Sequence, residues 1–105
     1  MNRAETAIDS PTTVVHVNDP DGFDEYIGRP MPRHRLKASV FANPYVIGRD
    51  GDRDAVIARY REYLRQCPEL VEKAKALRGK RLGCWCAPNA CHGDILAAIA
   101  DGREW

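Results

Sequence analysis

Two strand-like segments stand far apart in this chain with helical sequence between them, and that order constrains the fold more than any other feature. Thr12-Thr13-Val14-Val15-His16-Val17 is rich in β-branched residues and predicts a buried strand. Lys80-Arg81-Leu82-Gly83-Cys84-Trp85 predicts another, basic at entry and apolar at exit. Between them, a helix is expected from Arg53 to Gln66, capped by Asp52 or Asp50, because Val56, Ile57, Tyr60, Tyr63 and Leu64 recur at helical spacing. Pro68 opens a second helix at the favoured first position, with Leu70, Val71, Ala74 and Leu77 inward and Gly79 ending it. A third helix, His92 to Ala100, carries Ile95, Leu96 and Ile99 as its buried stripe. Strands joined through helical crossovers predict an α/β fold: a small single-domain layered structure with a short, mostly parallel sheet flanked by about three helices.

Turn chemistry at Asn18–Gly22 separates the first strand from a second short one within residues 23–28. Residues 1–11 are expected to form a flexible leader and residues 12–105 the α/β domain. A length of 105 residues suits one domain with its own core. No apolar run approaches the roughly 20 residues that a membrane span needs, and the N-terminal sequence lacks the apolar centre of a signal peptide. The expectation is a cytoplasmic protein with no membrane association. Its four cysteines are then reduced thiols rather than a disulfide framework.

Chemistry concentrates in Cys84-Trp85-Cys86-Ala87-Pro88-Asn89-Ala90-Cys91-His92-Gly93-Asp94, where a strand turns through a loop into a helix. Cys84 and Cys86 share one face of an extended strand and Trp85 takes the other. Cys91 and His92 fall at a helix start, whose free amides and positive dipole end favour anions and thiolates. Three readings stand side by side. Cys86 or Cys91 is an active thiol, with His92 and Asp94 in acid–base or orienting roles. Alternatively Cys84, Cys86, Cys91 and His92 bind zinc, or three of them do with His16 or His34. In the third reading the thiols are apolar packing groups within a rigid, anion-receptive loop. Cys67, at the junction of two helices, reads as structural.

The formal net charge of +1 hides an asymmetry. Glu5, Asp9, Asp19, Asp21, Asp24 and Glu25 face only Arg3 in the first 25 residues, so the remainder is basic. Arg29, Arg33, Arg35 and Lys37 follow one another with no acid between them. Such a loop either holds phosphate or nucleic-acid backbone, or is a solvated face that keeps the chain soluble. Pro30, Pro32 and Pro44 punctuate the same region, which lacks periodicity and is long enough to suggest a functional loop. Ile27-Gly28-Arg29 and Ile47-Gly48-Arg49 each place an arginine after a glycine, where it can grip an anion.

A strand, a cysteine loop and a helix is also the way phosphotyrosine phosphatases and rhodaneses present a nucleophile. Those phosphatases carry an arginine six positions after the cysteine, where this chain has His92. The closer resemblance is to the small domain of unknown function 4326, found in phages and bacteria and marked by a Cys-His-Gly-Asp motif. Tyr26-Ile27-Gly28-Arg29, Asn43-Pro44, Ile47–Gly51, Tyr60–Leu64 and Leu77–Cys86 through Cys91–Asp94 carry it, over roughly residues 12–101. Ala42-Asn43-Pro44-Tyr45 stands where that family usually has Gly-Asn-Pro-Phe. The cysteine loop is also similar to that of another uncharacterised α/β family whose helix opens with Cys-His-Arg. The resemblance implies an α/β fold and the motif residues Arg29, Asn43, Pro44, Cys84, Cys86, Cys91, His92, Gly93 and Asp94, but no activity.

Together these features point to a phosphate-bearing ligand, a nucleotide or nucleic acid, bound between the cysteine loop and the Arg29–Asn43 loop. Arg29, Asn43, Arg49 and Gly93 are the expected ligand-binding residues, with thiol chemistry at Cys86 or Cys91 if the protein is an enzyme. The alternative is a non-enzymatic phage accessory or interaction module that binds a host protein, its Cys/His loop structural or zinc-filled.

Overall fold

A computed structural model describes residues 11–105; the leader expected over residues 1–11 thus lies almost wholly outside the described residues. Three short strands, β1 (Thr13–His16), β2 (Glu25–Tyr26) and β3 (Arg81–Cys84), form a parallel sheet in the order β1-β3-β2. Among the described residues three α-helices accompany it: α1 (Arg53–Arg65), α2 (Pro68–Lys75) and α3 (Gly93–Ala100). A single 3-10 turn, Pro32–His34, lies in the long loop. The α/β architecture expected from the order of elements is the one found.

Central placement of β3 sets the geometry of everything that follows. Its register pairs Val14 with Leu82 and His16 with Cys84 on one side, and Tyr26 with Gly83 on the other. All three strands therefore end at the same edge, where ligands bind in parallel sheets. Leu82 and Cys84 join a core with Ile27, Tyr60, Leu64, Ile95, Leu96 and Ile99. Apart from Asp94, α3 is buried all round, because it fills the space between the sheet and α2.

The link from β1 to β2 is the turn expected at Asn18–Gly22, but it carries the chain past β3 into a parallel neighbour. Residues 17–24 make the parallel crossover with no helix, starting where the Val17 amide donates to the Cys84 carbonyl and ending where the Asp24 amide donates to the Arg81 carbonyl. Arg81 makes so short a crossover workable. Its guanidinium donates to the Gly22 carbonyl at 2.9 Å and to the Asp19 carboxylate at 3.0 Å, while its amide donates to the Asp24 carboxylate at 2.8 Å. The half-exposed ion pair itself contributes little, about 0–1 kcal/mol; the carbonyl bonds position the loop. Phe23 then lies flat over Gly83.

Local capping follows the sequence closely. Asp52, not Asp50, caps α1, its carboxylate accepting from the Ala55 amide at 2.9 Å. Asp50 instead accepts from the Val46 amide and holds Arg49. Pro68 opens α2 as expected, but that helix ends at Lys75, ahead of Gly79.

Thr12 ties β1 to the end of α3. Its hydroxyl donates to the Asp101 carboxylate at 2.7 Å and accepts from the Gly79 amide at 2.9 Å, and its own amide donates to Asp101 at 3.0 Å. Thr12→Val keeps the shape and strips the buried hydroxyl, removing a charge-assisted bond to the half-buried Asp101 carboxylate and the partner of the Gly79 amide. The expected cost is about 1–3 kcal/mol, measured as a shift in denaturant midpoint with unchanged slope.

Candidate functional site

The site forms where β3 runs out. Beyond Cys84 the chain leaves the sheet, and Trp85 turns to the face opposite the core. There its indole N–H donates to the Tyr26 hydroxyl at 3.0 Å and its ring meets the edges of His16 and His34. Cys84 remains on the core side. Seven residues later the loop returns, and the Cys91 sulfur lies 3.1 Å from the Cys84 sulfur. That separation is far longer than the roughly 2.05 Å of a disulfide, and both are free thiols.

The start of α3 has an internal logic that explains Cys91-His92-Gly93-Asp94. The Gly93 amide donates to the Cys91 sulfur at 3.2 Å, and the Cys91 amide donates to the Asp94 carboxylate at 3.1 Å. This reciprocal pair resembles a capping box with a thiol in place of the hydroxyl. Gly93 is required by contact, since a Cβ there would lie 2.7 Å from the Ile27 side chain and 3.2 Å from the Cys91 sulfur. His92 is buried, with its Nε2 2.8 Å from the Ile27 carbonyl and its ring 4.9 Å from that of Tyr60. A carbonyl only accepts, so Nε2 carries the proton and Nδ1 presents a lone pair. Burial lowers the His92 pKa and keeps the ring neutral.

Electrostatically, the two adjacent sulfurs behave as one unit. One hydrogen bond joins the Cys84 and Cys91 sulfurs, and it lowers the Cys84 pKa to about 6 against the opposing effect of burial. The same bond, with burial, pushes the Cys91 pKa up. Cys86, half-buried, is raised by desolvation and by Cys84, with Arg53 acting in the opposite sense. The two sulfurs thus share a single hydrogen bond in which Cys84 is the more readily ionised partner.

These groups form part of the lining of a cleft of about 360 Å³. Cys84, Cys91 and His92 lie on one wall with Cys86 beside them; Tyr26, Tyr45 and Trp85 contribute rings, and Arg29, Arg53 and Asn43 contribute polar groups. The volume falls in the range of small-molecule sites. Among the expected ligand-binding residues, Arg29 and Asn43 are brought to the cleft. Arg29 also braces the loop, donating to the Asn43 carbonyl at 3.2 Å and the Tyr45 carbonyl at 2.9 Å. Asn43 is buried, donating to the Val56 carbonyl and accepting from the Tyr45 amide. Arg49 and Gly93 do not line the cleft: the first is exposed and paired with Asp50, the second is interior. Asp94 is likewise outside it, facing solvent with its carboxylate on the Cys91 amide.

Sequence reasoning passed over Arg53. Its guanidinium donates to the Ala90 carbonyl at 3.0 Å, which places a cation at the mouth beside Cys86. One signal was present. A cation as the first residue of a helix opposes the helix dipole, and such a local inconsistency marks a functional position.

Cys84, Cys91 and His92 also offer donor atoms that all lie within 4.8 Å of one another, a group that could hold a metal ion. Two thiolates and an imidazole suit zinc-type chemistry. No helix among the described residues is long and apolar enough to cross a membrane.

Comparison with known proteins agrees with the geometry without adding an activity. The family described as "Domain of unknown function (DUF4326)" matches residues 15–102. A protein of Enterobacteria phage T4, described as an "Uncharacterized 12.4 kDa protein in nrdA-td intergenic region", is 42% identical over 60 residues, covering 52% of this chain and 56% of that protein. The chain thus matches little more than half the length of this curated relative. No solved structure matches.

Proposed function

The chain belongs to the DUF4326 family, and for this member we propose that the cleft binds a phosphate-bearing ligand of the nucleotide class above the Cys84 thiolate. One observation carries the reading: a single cleft combines aromatic rings, two guanidinium groups and the ionised sulfur. The rings of Tyr26, Tyr45 and Trp85 suit a planar base, and Arg53 and Arg29 suit an anionic group at the mouth. Asn43 holds the cleft in shape rather than reading the ligand. Any catalysis falls to Cys84 as nucleophile, with Cys91 as the group that holds its charge and His92 as a neutral, fixed neighbour.

Thermal-shift screening tests this directly. A ligand at 100 times its Kd stabilises the fold by about 2.7 kcal/mol, a rise of roughly 10–20 °C for a domain of this size. Nucleotides are expected to shift melting and nucleosides to shift it less. Arg53→Ala should erase the difference between the two. The absence of a shift with every phosphate compound removes the reading and leaves a protein-interaction module in its place.

A second reading has its own support. His92 donates Nε2–H to a backbone carbonyl and leaves Nδ1 free, the arrangement common to histidines that bind metal, and the sulfurs of Cys84 and Cys91 stand with it. In this reading the three residues hold zinc and the cleft supplies its open fourth position. Elemental analysis of the purified protein separates the two: about one zinc per chain, lost in Cys84→Ser and His92→Ala, is expected for the metal centre, and none for the thiolate.

A further inference from the structure

The loop beside the cleft carries charge that no small ligand needs. Met31 and Leu36 close it into a tight arm, the Met31 amide donating to the Leu36 carbonyl at 2.8 Å and the Leu36 amide returning to Met31 at 3.2 Å. The 3-10 turn at Pro32–His34 forms its tip, and Arg35 follows in the left-handed conformation at φ 57°. A side chain other than glycine seldom adopts that region, so the turn is held by its surroundings. His34 packs its ring 4.9 Å from Trp85, and Met31 lines the cleft, so the arm is anchored at the mouth.

Arg33, Arg35 and Lys37 project from this arm and are exposed. Among the described residues none of them has an ion-pair or hydrogen-bond partner. No Asp or Glu occurs between Glu25 and Asp50, so nothing in the loop neutralises them. Arg29, by contrast, turns into the cleft with one nitrogen on loop carbonyls, and Arg49 is paired with Asp50. Three unpartnered cations outside a cleft that already holds Arg29 and Arg53 exceed what one phosphate group requires.

We propose that the arm tracks the backbone of a single-stranded nucleic acid whose terminal or unpaired nucleotide enters the cleft. This rests on the nucleotide reading of the cleft and extends it from a free nucleotide to a strand. The physics is that of single-strand binding, in which a ring-lined site takes a base and neighbouring cations follow the phosphates. A duplex has no free base to offer, so single strands bind in preference.

Fluorescence anisotropy of the full chain with labelled DNA and RNA dodecamers, compared with mononucleotide thermal shifts, tests the proposal. Each strand phosphate neutralised adds about 0.7 to the slope of log K against log salt. Wild type is expected to bind a dodecamer at least about tenfold more tightly than a mononucleotide. The triple variant Arg33→Ala, Arg35→Asn, Lys37→Ala should lose that gain and flatten the slope by about 2. Asparagine keeps the left-handed turn accessible, and the variant's mononucleotide shift should match wild type. An unchanged slope, equal affinity for duplex, or equal competition by polyaspartate overturns the strand proposal. Absence of the mononucleotide shift in wild type overturns the reading of the cleft itself, which makes the two failures distinguishable.

Discussion

Gly83→Ala is expected to lower the melting temperature by roughly 4–20 °C, at an overpacking cost of about 1–3 kcal/mol. Gly83 is the third residue of β3, the central strand, and is buried. A Cβ added there meets Cγ of Phe23 at 2.7 Å and two further ring atoms at 2.9 Å. The ring cannot retreat freely, because Arg81 holds the Gly22 carbonyl and the Asp24 carboxylate on either side of it. In a domain held by a few kcal/mol, that is a large share of the total. The test is a double-mutant cycle. Phe23→Ala removes the obstacle, so adding Gly83→Ala to it should cost little, and the coupling should account for most of the single-variant loss. Additive costs would show that Gly83 is needed for some other reason.

The second large effect concerns the sulfurs. In chelator-treated protein, alkylation at Cys84 should rise with pH through a midpoint of about 6. The sign follows from the reactive species: the thiolate reacts, so rate climbs as pH rises through the pKa and falls below it. Cys91→Ala removes the S–H that stabilises the thiolate, the foremost cause of the lowered pKa, so the midpoint must move up toward the ordinary thiol range. The profiles should also cross. At pH 6 the variant is expected to react roughly tenfold more slowly, because little of it is ionised. At pH 9 it should react faster, because a more basic thiolate is intrinsically the better nucleophile. Mass spectrometry of the alkylated peptide identifies the residue. Coincident profiles, or label on Cys86 instead, would defeat the assignment of the thiolate to Cys84. Protection of Cys84 and Cys91 until chelator is added would favour the zinc centre.

Much of this molecule was legible before any coordinates. The β-branched run at 12–17, the helical spacing from Val56 to Leu64 and the proline at 68 all sit in the predicted elements, because each states a local preference that packing then reinforces. The crowding of Cys84, Cys86, Cys91 and His92 at a strand-to-helix turn likewise placed the site, since a nine-residue loop keeps its ends close whatever the rest of the chain does. That the turn at Asn18–Gly22 leads to a parallel strand on the far side of β3 was not legible. Its stability depends on Arg81, which meets Asp19, Gly22 and Asp24 only after the strands align.

Roles within the site divided in the same way. Sequence alone determined which residue types could do chemistry and which segment held them. Tertiary structure decided that Cys84 and Cys91 meet sulfur to sulfur, that Asp94 serves the helix start, and that Arg53, far off in the chain, reaches the mouth while Arg49 does not. The physical reason is that a side chain's identity is local, whereas its ionisation and reach depend on neighbours contributed by other elements.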